Sequence, residues 1–146
     1  MERHLISTCV GLAALSVSVA AFADDHPYSE GPVVNISRIR TMDGRFDDYM
    51  KWIDTVWKKE QEAGKRMGMV VGYEVLAAEP RSPDEPDVIL VVRYKNWAAL
   101  DNSIEKGDAI AKEIEGSVAA ANKGQADRGA MRRILGSETM QEMVLK

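Results

Sequence analysis

The sequence predicts a single α+β domain in which strands and helical regions follow one another in the order β-α-β-β-α-β. Three observations support this prediction. The chain has 146 residues, of which 45% are hydrophobic and 29% charged, as in ordinary globular domains. Short segments rich in β-branched residues alternate with turn-forming residues. Between them, apolar residues recur at spacings of three and four, which is the period of an amphipathic helix.

The first 23 residues are typical of an export signal. Arg3 precedes an apolar stretch from Leu5 to Val19, and Ala21-Phe22-Ala23 has the small-x-small pattern that signal peptidase reads. The apolar stretch is too short for a comfortable transmembrane helix. We therefore expect residues 1–23 to be a secretory signal peptide that is removed. The mature protein would be periplasmic or secreted, with no stable membrane anchor.

The first half of the mature chain predicts one strand and one helix. Residues 24–32 are polar and include two prolines and a glycine, so we expect a flexible lead before a domain that spans residues 33–146. The β-branched segment Val33–Arg40 predicts the first strand. A turn at Thr41–Gly44 leads into an amphipathic helix, whose apolar residues recur over Phe46–Trp57.

The second half completes the pattern. Two strands are predicted at Met69–Ala77 and Val88–Lys95, joined by a proline-rich loop. A helical region follows from Trp97 to about Ile134, with a break expected near Gly116, and Thr139–Leu145 predicts a last strand. This order is that of the ferredoxin-like fold, a four-stranded antiparallel sheet with two helical regions on one face.

Such a sheet leaves its second face without helices. The residues that we expect on that face are Val33, Val70, Leu76, Ile89 and Val91. An apolar area of this size is rarely left exposed to water. Two sheets packed face to face would bury it, so the sequence predicts a homodimer.

Three stretches carry a resemblance to a known superfamily. Thr41–Phe46 looks like its usual strand–glycine–helix transition, Gly68–Val75 like the start of its second strand, and Val91–Leu100 like its third strand and the following helix. In these stretches the chain resembles the dimeric α+β-barrel superfamily, which includes NIPSNAP-like, EthD-like and antibiotic-biosynthesis-monooxygenase-like proteins. The resemblance implies a ferredoxin-like fold that pairs as a dimeric α+β barrel. Its members include haem-degrading oxygenases, cofactor-free oxygenases, small cyclases and small lyases.

Composition and motifs argue against several classes of site. The chain has one cysteine and two histidines, and removal of the signal would leave only His26. Disulfide scaffolds, clustered zinc sites and nucleophile–histidine catalysis are therefore not expected. The net charge of −4 argues against a nucleic-acid partner. The sequence has no GxGxxG and no HExxH, and no predicted helix or strand supplies the histidine that haem-degrading members use, so we expect no cofactor.

Strand alternation gives one candidate catalytic pair. If the second and third predicted strands pair in the expected register, Glu74 and Arg93 share the face without helices. Glu74 would act as an acid or base, and Arg93 would stabilise an anion. Asn35 and Ser37, from the first strand, and Tyr73 would bind the ligand through hydrogen bonds. The alternatives are a structural ion pair, or a register that places both charges in solvent.

The N-terminus offers one metal hypothesis. Cleavage after Ala23 would start the mature chain with Asp24-Asp25-His26. The free α-amine of Asp24, two deprotonated backbone amides and the His26 imidazole form a square-planar set that suits Cu(II) or Ni(II). The alternative is a solvated tail that carries a histidine by chance.

Taken together, these patterns predict an exported, homodimeric α+β-barrel protein that holds a small, partly apolar molecule between its two sheets. It would be a binding protein or a cofactor-free oxygenase-like or lyase-like enzyme. Two alternatives stay open: a non-catalytic periplasmic protein that binds Cu(II) at its N-terminus, and a structural or partner-binding dimer. The charged helix residues Lys58-Lys59-Glu60 are expected to be ordinary solvated surface.

Overall fold

The computed structural model describes residues 26–146. Their elements, in chain order, are β1 Tyr28–Thr41, α1 Phe46–Trp52, a π-helical turn Ile53–Trp57, α2 Lys58–Arg66, β2 Val70–Ala77, β3 Val88–Tyr94, a 3-10 turn Trp97–Leu100, α3 Ser103–Glu115, α4 Val118–Asp127, a 3-10 turn Arg128–Ala130 and β4 Arg132–Leu145. Within this range, no helix combines the length and apolarity that a membrane span requires. The predicted signal peptide lies outside the described residues.

The four strands form one sheet in the order β2-β3-β1-β4. Each neighbouring pair is antiparallel. β1 and β3 are therefore the inner strands, and β2 and β4 form the edges. With the helices between β1 and β2 and between β3 and β4, this is the ferredoxin-like βαββαβ fold, so the predicted fold class is confirmed.

The hydrophobic core lies between the sheet and the first helical segment. Tyr49, Ile53 and Trp57 follow one another at intervals of four residues, so their side chains share one side of that segment. They pack on alternate residues of β3, which share one face of the sheet. The strand residues in this core are Ile39, Val70, Val88, Leu90 and Val92.

β1 and β4 extend further than the sequence pattern predicts. β1 begins at Tyr28, inside the predicted lead, and its first residues pair with the end of β4 up to Leu145. The helix predicted to reach Ile134 instead ends at Asp127, and β4 begins at Arg132. That part of the prediction is wrong because pairing with β1 overrides the local helical preference.

The predicted break in the second helical region is confirmed. Gly116 lies between α3 and α4 with φ +84°, a left-handed conformation that glycine adopts without strain. Ser117 then caps α4, since its hydroxyl accepts a hydrogen bond from the Ala120 amide at 3.0 Å. The two helices can therefore turn relative to each other, and α3 packs mainly against α2 and α4.

The face of the sheet opposite the helical core is called the open face below. Cross-strand partners have side chains on the same face, and the register places these residues there: Val34, Ile36, Arg38, Gly72, Glu74, Leu76, Ile89, Val91, Arg93, Gly136, Glu138 and Met140. Val34 and Val91, on the inner strands, are only 8% and 6% exposed. Leu76, on an edge strand, is 47% exposed.

Two residues expected on the open face lie on the other side. Val33 and Val70 both pair with Tyr94, and Val70 belongs to the helical core. The expectation is wrong for these two because β1 carries apolar residues on both of its faces, and a bulge near Val70 shifts the start of β2. Leu76, Ile89 and Val91 lie on the open face as expected.

Candidate functional site

Glu74 and Arg93 meet on the open face. Glu74 Oε1 lies 3.7 Å from Arg93 Nη2, and Glu142 Oε2 lies 3.4 Å from Arg93 Nη1. The side chains of Arg93 and Glu74 are 37% and 53% exposed. The arrangement is a half-exposed arginine between two carboxylates, in which water screens the charges. The catalytic roles of Glu74 and Arg93 stay predictions.

A second ion pair crosses the same face. Arg38 on β1 donates to Glu138 on β4, with 2.5 Å between Nη1 and Oε1. Both side chains are about half exposed. The open face thus has a buried centre around Val34 and Val91 with ion pairs on either side.

Asn35 and Ser37 do not join Glu74 and Arg93. They pair with Val92 and Leu90 of β3, so their side chains lie on the helical side of the sheet. Asn35 Nδ2 donates to Thr139 Oγ1 at 2.8 Å and to Ser137 Oγ at 3.1 Å. The placement predicted for Asn35 and Ser37 is wrong. The side chains of β1 alternate one residue out of phase with the predicted pattern, so these two face the helices.

Tyr73 also lies on the helical side. It packs edge-on against Trp57, with ring centroids 5.4 Å apart, and its hydroxyl donates to Glu62 Oε1 at 2.7 Å. The hydrogen bond to the Glu62 carboxylate raises the pKa of Tyr73, and the same bond lowers the pKa of Glu62. Since Tyr73 is adjacent to Glu74 in β2, its side chain faces away from that carboxylate. The expectation that Tyr73 binds a ligand beside Glu74 is therefore wrong.

The copper hypothesis concerns the start of the mature chain. His26 is described, and its ring stacks on Tyr28 with centroids 5.3 Å apart. Asp24 and Asp25, which would supply the amine and amide nitrogens, lie outside the described residues. Within residues 26–146, no group of three histidine, cysteine or acidic side chains is placed to hold a metal ion. Copper binding at the N-terminus stays a prediction.

A cavity on the helical side of the sheet lies away from the predicted pair Glu74 and Arg93. It has a volume of about 430 Å³ and lies between α2, α3, α4 and the sheet; we call it the helix cavity. Its apolar lining comes from Met69, Val70, Leu100, Ile110, Ala111 and Ala121. Its polar lining includes Glu60, Tyr94, Glu115, Asn122, Gln125 and Arg128. Neither Glu74 nor Arg93 lines it.

The polar groups of the helix cavity are poorly partnered. Within the described chain, Glu60, Tyr94 and Glu115 form no side-chain hydrogen bond, and Arg128 donates only to Gln125, at 2.8 Å. Of these groups, only Arg128 has a buried side-chain atom without a partner, its Nε, whereas most buried polar groups in proteins are hydrogen-bonded. A cavity with apolar walls and a few convergent polar groups of this kind is typical of a small-molecule site.

Burial changes the acidity of these groups. It raises the pKa of Glu60 above its usual range, and the nearby Glu115 carboxylate adds to that increase. Burial also raises the pKa of the Tyr94 hydroxyl, and it lowers the pKa of the Arg128 guanidinium. Perturbed acid–base groups that line one cavity are characteristic of functional sites.

The position of Glu60 corrects one expectation. Lys58 and Lys59 are exposed, as predicted, whereas Glu60 is partly buried against the cavity. The signal was present in the sequence, because Glu60 lies three residues after Trp57 on the stripe that faces the sheet. Arg128 had no such signal, since its burial depends on Trp52 in a distant part of the chain.

Comparison with known proteins supports the fold. The sequence matches no protein-family model and no curated protein at a significant level. HapK from Hahella chejuensis has a TM-score of 0.50 and 15% identity, covering 75% of this chain and 91% of its own. SO0527 from Shewanella oneidensis has a TM-score of 0.50 and 15% identity, covering 80% of this chain and 96% of its own.

A third solved structure is described as a dimeric ferredoxin-like protein from an uncultured marine organism. Its TM-score is 0.50 at 9% identity, over 81% of this chain and 90% of its own. At such identities the likeness concerns the fold alone. This chain is a small ferredoxin-like α+β protein, similar in fold to these three solved structures.

Proposed function

We propose that this protein binds a small, partly apolar molecule in the helix cavity. The observation that carries the proposal is the combination of apolar walls with three polar side chains: Glu60 and Tyr94, which form no side-chain hydrogen bond within the described chain, and Arg128, whose buried Nε has no partner there. The walls favour an apolar body through the hydrophobic effect, and the polar groups select its orientation. We therefore expect the ligand on the helical side of the sheet rather than between two sheets.

A cavity-filling variant tests this proposal. Ala111→Phe puts a ring into the helix cavity, whereas Ala109→Phe puts the same ring on an exposed position of α3. The probe is 2-naphthamide, a neutral, flat and partly apolar molecule, followed by NMR titration of amide shifts. We expect binding to the natural protein and to Ala109→Phe, and an affinity about tenfold lower or worse for Ala111→Phe. Absence of millimolar binding, or equal binding by both variants, would overturn the proposal.

We also propose that two copies pair through the open face. This face is apolar at its centre, carries charges of both signs, and leaves Leu76 largely exposed. Charges of both signs on one face allow attractive contacts between two copies related by a twofold axis. The solved structure described as dimeric adds support from the same fold.

The dimer proposal has a matched pair of variants. Leu76→Glu adds a charge to the open face, and Ile104→Glu adds one to α3, where Ile104 is 82% exposed. Sedimentation velocity should show a dimer for the natural protein and Ile104→Glu, and a monomer for Leu76→Glu. A monomeric natural protein, or a dimer lost equally in both variants, would contradict pairing through this face.

Cofactor-free proton transfer is a second candidate function. It is favoured by the raised pKa of Glu60, which brings a carboxyl group closer to the range of a useful general base or acid. The carboxylate would take a proton from an acidic carbon of the bound molecule and return one from water. With 2-tetralone in D₂O, we expect deuterium exchange at the carbon next to the carbonyl to be slower for Glu60→Gln. Equal exchange rates would exclude this role for Glu60.

We further propose that the protein works outside the cytoplasm. The support is the arrangement of residues 1–23, with a basic start, an apolar stretch and a small-x-small site. Mass spectrometry of the protein recovered from a periplasmic extract should give an N-terminus at Asp24. Only that start provides the amine that the proposed Cu(II) site needs next to His26. A full-length cytoplasmic chain would end both proposals.

A further inference from the structure

We infer that the ligand of the helix cavity is a monocarboxylate, and that Arg128 binds its carboxylate group. This inference rests on the proposed function, since it names the chemical class of the molecule that the cavity takes. The reasons lie in how Arg128 is held, in which of its donors lack acceptors, and in the charges around it.

Arg128 is held rigidly at the wall of the cavity. Its residue is only 8% exposed, and its guanidinium lies over the Trp52 ring, 4.3 Å from the centroid. Trp52 in turn stacks on Tyr49, with centroids 5.5 Å apart. Nη2 of Arg128 donates to Gln125 Oε1 at 2.8 Å. A guanidinium fixed in this way loses little conformational freedom when it binds an anion.

Most donors of this guanidinium lack an acceptor. An arginine has five N–H donors. In the described chain, Nε of Arg128 is buried without a hydrogen-bond partner, and only Nη2 has one. No carboxylate of residues 26–146 lies within ion-pair distance of Arg128, whereas the open-face arginines Arg38 and Arg93 both have such partners. A buried charge of this kind is costly unless an anion accompanies it.

The Glu115 carboxylate lies close to the Arg128 guanidinium, on the other side of Gly124. Gly124 lies between Glu115 and Arg128, and a Cβ built there would be 3.1 Å from Glu115 Oε2 and 3.2 Å from Arg128 Nη1. The negative charge of Glu115 therefore opposes the lowering of the Arg128 pKa, although the two groups form no ion pair in the described structure. Glu115 accepts no hydrogen bond from Arg128 in the described structure. The N–H donors of Arg128 can therefore donate to an incoming carboxylate.

The charges around the cavity favour a monoanion. The lining holds one guanidinium and two carboxyl groups, of Glu60 and Glu115. A phosphate dianion would face repulsion from both acidic groups, whereas a carboxylate adds a single charge.

Two probes of the same shape test the inference. 2-Naphthoate carries the carboxylate, and 2-naphthamide replaces it with a neutral amide. Near neutral pH, the natural protein should bind the naphthoate at least about tenfold more tightly than the amide. Arg128→Met, which keeps an unbranched side chain against Trp52, should abolish this preference, so that naphthoate binds no more tightly than the amide.

Arg132 supplies the matched control. It is also 8% exposed, donates to the same Gln125 oxygen at 3.2 Å, and lies over Tyr49, but it does not line the helix cavity. Arg132→Met should therefore keep most of the preference for naphthoate, whereas Arg128→Lys, which loses the planar guanidinium over Trp52, should lose much of it. Thermal unfolding of each variant identifies any that fails to fold. If Arg128→Met does not fold, the naphthoate preference of Arg128→Lys is measured in its place.

The outcomes separate this inference from the proposed function. If 2-naphthamide binds and is blocked by Ala111→Phe but naphthoate has no advantage, the cavity binds ligands and the carboxylate inference is wrong. If Arg132→Met removes the preference as fully as Arg128→Met, the effect is general charge rather than contact, which also overturns the inference. If neither probe binds, the proposed function fails first.

Discussion

Charged side chains on the two sides of the sheet differ in burial and in ion pairing. On the open face, Arg93 lies between the carboxylates of Glu74 and Glu142, and all three side chains are partly exposed to water. In the helix cavity, Glu60 is partly buried and Arg128 almost completely buried, without an ion pair between them in the described chain. The pKa of Glu60 is raised by burial, and the pKa of Arg128 is lowered by it.

This contrast shows why proximity of opposite charges is a weak indicator of a site. Exposed pairs such as Glu74 and Arg93 satisfy each other and are screened by water, so they contribute little energy to a ligand. Groups held out of water without partners interact strongly with whatever enters. The chemistry of this protein is therefore expected on the helical side, and assembly on the open face.

The largest expected effect is a difference in lost stability between substitutions on the two faces of the sheet. Leu90→Ala removes a side chain from the helical core, so we expect it to lower the free energy of unfolding by about 3 kcal/mol. Leu76→Ala, at a largely exposed position on the open face, should cost the single chain less than about 1 kcal/mol. Urea unfolding at protein concentrations below the dimer dissociation constant measures both. Equal losses would mean that the open face is packed as tightly as the core.

The next effect concerns assembly. If a second copy covers the open face, Arg93→Ala leaves Glu74 and Glu142 facing each other without a cation in a desolvated interface. We expect the free energy of dimer formation to weaken by about 2 kcal/mol. Lys123→Ala on α4 removes a similarly paired charge away from the sheet and should have no effect. Sedimentation equilibrium gives both dissociation constants, and identical values would place Arg93 outside the interface.

Most of the fold could be predicted from sequence patterns because helices and strands differ in the period of their apolar residues. The placement of Asn35 and Ser37 could not. β1 is an inner strand with Val33 and Ile39 on one face and Val34 on the other, so its pattern does not say which face meets the helices.

The candidate site was harder to predict than the fold. Glu60 follows the helical spacing of Ile53 and Trp57, and that spacing alone indicates a position facing the sheet. Arg128 depends on a contact with Trp52 that only the tertiary structure creates. Local periodicity reports which side of a helix is buried, but it does not report which distant residue covers an arginine.

A smaller effect should appear at Glu115. If Arg128 binds a carboxylate, Glu115→Gln removes a competing negative charge from the cavity, so 2-naphthoate should bind more tightly by about 1 kcal/mol. Binding of 2-naphthamide should hardly change. Glu113→Gln, on the solvent side of α3, where Glu113 pairs with Arg66, is the control. Weaker naphthoate binding in Glu115→Gln would show that this carboxylate supports the ligand instead.

Glu60 should make stability depend on pH in a recognisable direction. Its pKa in the folded protein is raised above the ordinary value of 4.5. The folded state therefore binds more protons than the unfolded state between these two pKa values, and stability falls as pH rises through that window. Glu60→Gln should match the natural protein at pH well below 4.5 and be the more stable of the two near neutral pH. A constant difference at all pH values would contradict the burial of Glu60.

The smallest expected effect tests the exposed character of the open face within a single chain. In the Leu76→Glu background, where pairing of two copies should be lost, Arg38 and Glu138 are about half exposed. A double-mutant cycle with Arg38→Met and Glu138→Gln should give a coupling energy below about 1 kcal/mol, because water screens both charges. In the dimer, the same cycle should give a larger value, since desolvation strengthens the attraction. A large coupling already present in the monomer would mean that the chain itself covers this face, and the contrast between the two sides of the sheet would then disappear.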